Sequence, residues 1–344
     1  MTDQVLFERR GRALVITLNR PAQLNALNRA MCVGIQQALY DSLGDAGVAL
    51  VIIKGAGERA FCAGGDVVGM YHAGRAGSDE WEGFFHDEYR MNQTIAVYPD
   101  PYVAILDGVT MGGGVGLSIH GRYRVATERT MFAMPETGIG LIPDVGGTFA
   151  LPRLPGEIGT YTALTGARLN GADCLYAGIA THYIASERLP LLMELLADGS
   201  EPIETVLATL HTDPGEAPLE AVRDAIDFHF LHDTVEAIQA SLAVGDAWAL
   251  TQHAAIARMS PTSLKLSLRA LRLGASVDIE AALQTEYRLV CAIKHGHDFF
   301  EGIRAQLIDK DKAPKWQPAT LGGVDEAMVA SYFVEPASGD LDFD

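Results

Sequence analysis

Positive charge is scarce in this 344-residue chain: 26 lysines and arginines stand against 44 aspartates and glutamates, a formal net charge of −18. That background field disfavours nucleic acid and anionic membrane surfaces, and it admits a polyanionic small ligand only where the few cations gather around it. Long apolar runs are missing as well. No stretch reaches the roughly 18 residues that a membrane-spanning helix needs. Cysteine is sparse: Cys32, Cys62, Cys174 and Cys291 lie far apart with no C-x-x-C pair. This usage suits a reducing compartment and speaks against disulfide or metal frameworks. The opening MTDQVLFERRGRALVITL has neither the apolar core of a secretory signal nor the Arg- and Ser-rich character of a transit peptide. The expectation is a cytoplasmic protein that binds neither nucleic acid nor membrane.

Several familiar catalytic motifs are also absent. GVTMGGGVGLS (108–118) follows a strand-like run, but its glycines at 112, 113, 114 and 116 do not give the G-x-G-x-x-G of a dinucleotide loop. GAGERAFCAGGD (55–66) lacks the Lys-Ser/Thr of a phosphate-binding P-loop, and no G-x-S-x-G elbow occurs. HGHD (295–298) has no partner motif to make it a metal site and reads as a solvated turn at a helix end.

What is present is an ordinary globular balance, 48% hydrophobic and 20% charged residues, in a chain long enough to bury a full core. RALVITL (12–18), VALVIIKG (48–55), YVAILDG (102–108) and YRVAT (123–127) read as short β-branched strands. Between them, 26–44 and 79–98 carry apolar residues at helical spacing. Alternating strands and helices predict an α/β protein with stacked, mostly parallel sheets. Beyond about residue 186 the pattern becomes helical, over 186–198, 216–230, 232–243, 246–257, 260–273 and 278–294, with LADGSEPIETV and HTDPGEAPLE as polar breaks. The expected division is an α/β core over 1–185 and a helical region over 186–344.

Two features carry chemistry. MPETGIGLIPDVGGTF (134–149) sets Glu136 and Asp144 into a run of apolar residues, prolines and glycines with no basic residue to pair with either. So dry a setting should raise a carboxyl's pKa and strip its hydration. The bland reading is a pair of turn or N-cap acids. The glycine-rich turns at 62–66 and 112–116 offer backbone N–H groups at close range, and two such groups aimed at one oxygen make an oxyanion hole. Tight strand-to-helix packing explains the same glycines equally well.

LNRPAQLNALN (18–28), AFCAGGDV (60–67), DGVTMGGGVGLS (107–118) and FAMPETGIGLIPDVGGT (132–148) resemble the enoyl-CoA hydratase/isomerase superfamily, the crotonase fold. FFHDEYRMN (84–92), LPRLPG (151–156), ALTGARLNGADCLYAGIATHY (163–183) and FFEGIRAQLIDKDKAPKW (299–316) extend the likeness almost to the C-terminus. The resemblance implies a spiral of ββα turns and a helical C-terminal region closing over an acyl-CoA. It places the oxyanion hole at the N–H groups of Ala63 and Gly113, a catalytic carboxylate at Glu136 and a substrate-facing one at Asp144. Glu88 is added as a further acid reaching the pocket, where a solvated helix face is the alternative. Ala26 and Leu27 fall where the superfamily cradles the nucleotide of coenzyme A. Lys310 and Lys312 fall where a lysine meets its phosphates, although spacing does not choose between them and Lys315.

One departure decides the expected reaction. A hydratase of this superfamily holds water between two glutamates, one of them on the helix opened by the GGG turn; the matching position here is Gly116. Without that partner, water addition lacks its acid–base pair. Gly116 together with Asp144 is similar to the superfamily's hydrolase subgroup. That likeness implies hydrolysis of a short 3-hydroxyacyl-CoA thioester, 3-hydroxyisobutyryl-CoA foremost, as in valine breakdown. Coenzyme A enters as part of the substrate, no separate cofactor is implied, and a homo-oligomer is allowed. An enoyl-CoA hydratase or isomerase, another reaction on acyl-CoA such as decarboxylation, and a non-catalytic acyl-CoA- or RNA-binding member stand as alternatives.

Overall fold

Runs of Val, Ile and Leu at the predicted strand positions pair into the larger of two sheets in the computed structural model, which describes residues 3–343. The strands are β1 (Val5–Arg10), β2 (Ala13–Leu18), β3 (Leu50–Gly55), β4 (Ala60–Cys62), β5 (Tyr102–Leu106), β6 (Val109–Met111), β7 (Tyr123–Ala126), β8 (Met131–Ala133), β9 (Leu169–Asn170) and β10 (His182–Tyr183). The six-stranded sheet runs β1-β2-β3-β5-β7-β10, with β1 antiparallel to β2 and the rest parallel. A four-stranded sheet runs β4-β6-β8-β9, parallel except for β9. Chain order therefore repeats one step: β3 then β4, β5 then β6, β7 then β8, a strand in the large sheet followed by a short one in the small sheet. β3 and β5 are buried nearly throughout, as parallel strands in a layered fold should be.

The chain forms two compact units. The first comprises the chain up to Gly65, Arg90–Ala133 and Arg168–Ala221, and holds both sheets. Its core packs Val15, Ile52, Val103, Ile105 and Val125 with Leu192. The second comprises Asp66–Tyr89, Met134–Ala167 and the chain from Val222 onward. These units do not divide at 185/186: the helices Leu189–Asp198 and Ile203–Leu210 belong with the sheets, because their leucines complete the sheet core.

Within the second unit, the helices Pro261–Gly274 and Ile279–Ile293 start at Ser260 and Asp278, whose side chains accept the N–H of Ser263 and Ala281. Trp81 stacks edge-on against Phe85 and Phe299 and donates its indole N–H to the Val290 carbonyl at 3.1 Å. This fixes the first turns of the Glu80–Ala96 helix. The expected 216–230 helix is interrupted at Val222, between Pro218–Ala221 and Arg223–Phe230. The expected break LADGSEPIETV contains the start of the Ile203–Leu210 helix. Among the described residues no helix is long and apolar enough to cross a membrane.

Candidate active site

In the first unit, four of the sequence-predicted residues come together. Leu24 and Asn25 adopt left-handed backbone conformations, with φ of 51° and 57°. The fully buried Asn25 side chain pins this turn: its amide donates to Ala56 and Ala60 carbonyls at 3.0 and 2.9 Å and its oxygen accepts the Arg20 N–H. The turn docks on the 62–66 loop, Leu27 N–H donating to Gly64 C=O at 2.8 Å. Leu27 itself is core, so only its backbone faces other groups; Ala26 is half-buried and its carbonyl accepts from Arg20.

The two glycine-rich turns abut. A Cβ on Gly114 would lie 2.2 Å from the Cys62 carbonyl oxygen, and one on Gly64 3.8 Å from the Gly113 nitrogen. Gly113 opens the short helix Gly113–Gly116, which leaves its N–H without an intrahelical acceptor. The Ala63 N–H already donates to Leu24 C=O at 3.0 Å. Gly116 is buried in the same short helix and brings no acid.

The carboxylates gather in the second unit. Pro135 precedes a single 3₁₀ turn, Glu136–Ile139, ended by left-handed Gly140, and this places the Glu136 carboxyl inside. Gly140 has no room for a side chain, since a Cβ there would meet Asp298 backbone at 2.2 Å. Asp144 precedes a second strained turn, in which Val145 and Gly146 have φ of 56° and 78°. Glu88 and Tyr89 come from the Glu80–Ala96 helix, and the Tyr89 hydroxyl donates to Asp144 at 2.7 Å. Glu88 is not on a solvated face: Glu88, Glu136 and Asp144 are 2%, 5% and 4% exposed.

A fourth acid joins them that the sequence reading passed over. Glu286, fully buried, sits on the Ile279–Ile293 helix and accepts from Gly146 N–H, Thr148 N–H and the Thr148 hydroxyl at 2.7, 2.9 and 2.5 Å. Burial pushes all four carboxyls upward; repulsion from neighbouring acids adds to it for Glu88, Glu136 and Glu286, while the Tyr89 hydroxyl bond holds Asp144 back. Asp144 rises to about 6 and Glu286 to about 8, while Glu88 and Glu136 lie well above the usual carboxylate range. One oxygen each of Glu88 and Glu136 has no hydrogen-bond partner. Chemically this is a dry cluster of acids whose pKa values are raised to different extents, able to offer an ionised carboxyl near a protonated one.

Lys310 and Lys312 lie exposed in the second unit on left-handed backbone, with φ of 58° and 57°. Arg304 braces that loop through Asp309 and Asp311, and the Lys312 ammonium donates to Gln306 C=O at 2.8 Å. HGHD is structural: buried Asp298 accepts from the Ser260 hydroxyl and Gln317 N–H. Among the described residues no three His, Cys, Asp or Glu side chains gather as a metal site.

Comparison with known proteins bears on this geometry. Residues 13–333 match the family model described as enoyl-CoA hydratase/isomerase. The chain is 49% identical to the "3-hydroxyisobutyryl-CoA hydrolase, mitochondrial" of Danio rerio, over 98% of this chain and 91% of that protein. Two solved structures are similar throughout. One is a carnitinyl-CoA dehydratase from Mycobacterium thermoresistibile (42% identity, TM-score 0.95, covering 100% of this chain and 99% of that one). The other is an enoyl-CoA hydratase from Rhodobacter sphaeroides (41%, 0.92, covering 99% and 100%).

Proposed function

The chain belongs to the enoyl-CoA hydratase/isomerase family, and from that premise we propose that it is an acyl-CoA thioester hydrolase cleaving 3-hydroxyisobutyryl-CoA to 3-hydroxyisobutyrate and coenzyme A. The names of its relatives divide between hydrolase, dehydratase and hydratase. The observation that carries the choice is Glu136, a buried acid with an unpartnered oxygen, while the helix opened by the GGG turn has Gly116 and supplies no glutamate opposite it.

In this reading the Gly113 N–H stabilises charge developing on the thioester oxygen; Ala63 contributes by sharing a hydrogen now given to Leu24. Ionised Glu136 attacks the carbonyl carbon, expelling the coenzyme A thiolate and leaving a mixed anhydride that water cleaves to the free acid and Glu136; or it takes a proton from a water that attacks the carbonyl and expels the thiolate directly. Asp144, held by Tyr89, accepts the substrate's 3-hydroxyl, and Glu88 stays protonated beside it. Ala26 and Leu27 offer backbone to the nucleotide. Lys310, whose ammonium is exposed, offers charge to the phosphates more readily than Lys312. No cofactor beyond the substrate's own coenzyme A is needed for these steps.

The background charge supports a protein that avoids nucleic acid and membrane surfaces, and nothing in the proposed steps needs a second subunit. Four buried cysteines, none in a disulfide, suit a reducing compartment, the cytoplasm in our reading, although the relatives' names carry the word mitochondrial. Glu136→Gln tests the assignment. Hydrolysis should fall at least about a thousandfold with coenzyme A ester affinity within about threefold; hydrolysis within tenfold of the parent would refute it.

A further inference from the structure

We infer that Glu286 is a positioning residue that sets the orientation of Asp144, an inference that rests on the reading of Asp144 as the group meeting the substrate hydroxyl. Glu286 lies between Leu283 and Leu289 on the apolar stripe of its helix, where an aliphatic residue would serve packing. Instead it spends both carboxyl oxygens on one short stretch of chain. Oε2 takes the Gly146 N–H, and Oε1 takes both the N–H and the hydroxyl of Thr148.

Val145 is β-branched yet left-handed, and Gly146 is left-handed too, so the turn is strained. Asp144 stands immediately before it, and its carbonyl accepts the Gly147 N–H at 2.7 Å. Clamping 146–148 therefore fixes the backbone from which the Asp144 side chain projects. Tyr89 fixes that side chain from the other end, through its hydroxyl on Oδ2. Glu286 touches no reacting atom in this scheme; it acts through Asp144.

The experiment uses the full chain with Glu286→Gln, Asp144→Ala, the double variant and Thr148→Ala, each assayed on 3-hydroxyisobutyryl-CoA and on isobutyryl-CoA. Glutamine presents an amide N–H₂ to donors on one side, so the clamp loses part of its hold while size is kept. Glu286→Gln should lower kcat/KM for the hydroxylated ester by about ten- to a hundredfold and change the deoxy ester by less than about threefold. In the Asp144→Ala background the same change should cost nothing further. Equal losses on both esters, or losses that multiply in the double variant, would mean a merely structural acid and overturn the inference. If Glu286→Gln does not fold, Thr148→Ala decides: an unchanged preference for the hydroxylated ester overturns it. Asp144→Ala leaving that preference intact would identify the hydroxyl reading itself as the failure, and the positioning role would fall with it.

Discussion

At the scale of single residues, a carboxyl without a cation is the governing fact. Glu136 must lose its proton to act as nucleophile or base, and burial beside Asp144 holds that proton well above the ordinary carboxylate range. Hydrolysis should therefore climb with pH through a window where exposed glutamates have long been ionised. Below the raised pKa, kcat/KM should drop about tenfold for each pH unit; a flat profile from pH 5 upward would show that no such acid is titrating. Glu136 and Asp144 were legible because they interrupt a run that offers them no partner within MPETGIGLIPDVGGTF. Tyr89 and Glu286 were not, since their partners lie 55 and 138 to 140 residues away in the chain. Glu286 also occupies a core position on an amphipathic helix, where no local pattern announces an acid.

At the scale of elements, most long periodic segments were read correctly, the interrupted 216–230 helix and the unforeseen Ile203–Leu210 helix excepted, and the shortest strands were missed. The strands β2, β3, β5 and β7 and the helix Glu80–Ala96 fall inside their expected ranges. β4, β6, β8 and β9 have two or three residues each, too few to show alternation, and exist because the neighbouring strand supplies their hydrogen bonds. The glycine turns follow the same logic: their identity was visible, but not that 62–66 rests against 112–116. Gly114→Ala tests this contact, because its Cβ would stand 2.2 Å from the Cys62 carbonyl oxygen and push the two turns apart. Thioester hydrolysis should fall about a hundredfold, the cost of a misplaced oxyanion donor. Steady-state kinetics on a variant shown to be folded measures it; an unimpaired enzyme would mean the turns do not cooperate.

For the whole molecule, burying four acids together makes stability and activity run in opposite directions with pH. Each has a folded-state pKa above its unfolded value, so its contribution is fully present below that unfolded value and is lost as pH rises through the folded one. The loss passes through about 6 for Asp144 and about 8 for Glu286. Glu301, lowered to about 2 chiefly by its bond to Arg304, works the other way and loses its small contribution as pH falls below the ordinary range toward 2. Thermal unfolding should accordingly give a Tm that declines from about pH 5 to about pH 8. Glu88→Gln should raise Tm more at the upper end than at the lower; an equal shift at both ends would contradict a buried ionisable cluster. The two reactions that divide the family provide the most direct test of the account as a whole. On one preparation, initial rates are measured for free-thiol release from 3-hydroxyisobutyryl-CoA and for hydration of crotonyl-CoA. With Gly116 in place of a second glutamate, thiol release should exceed hydration by at least about a hundredfold in kcat/KM. Hydration faster than thiol release would contradict the account.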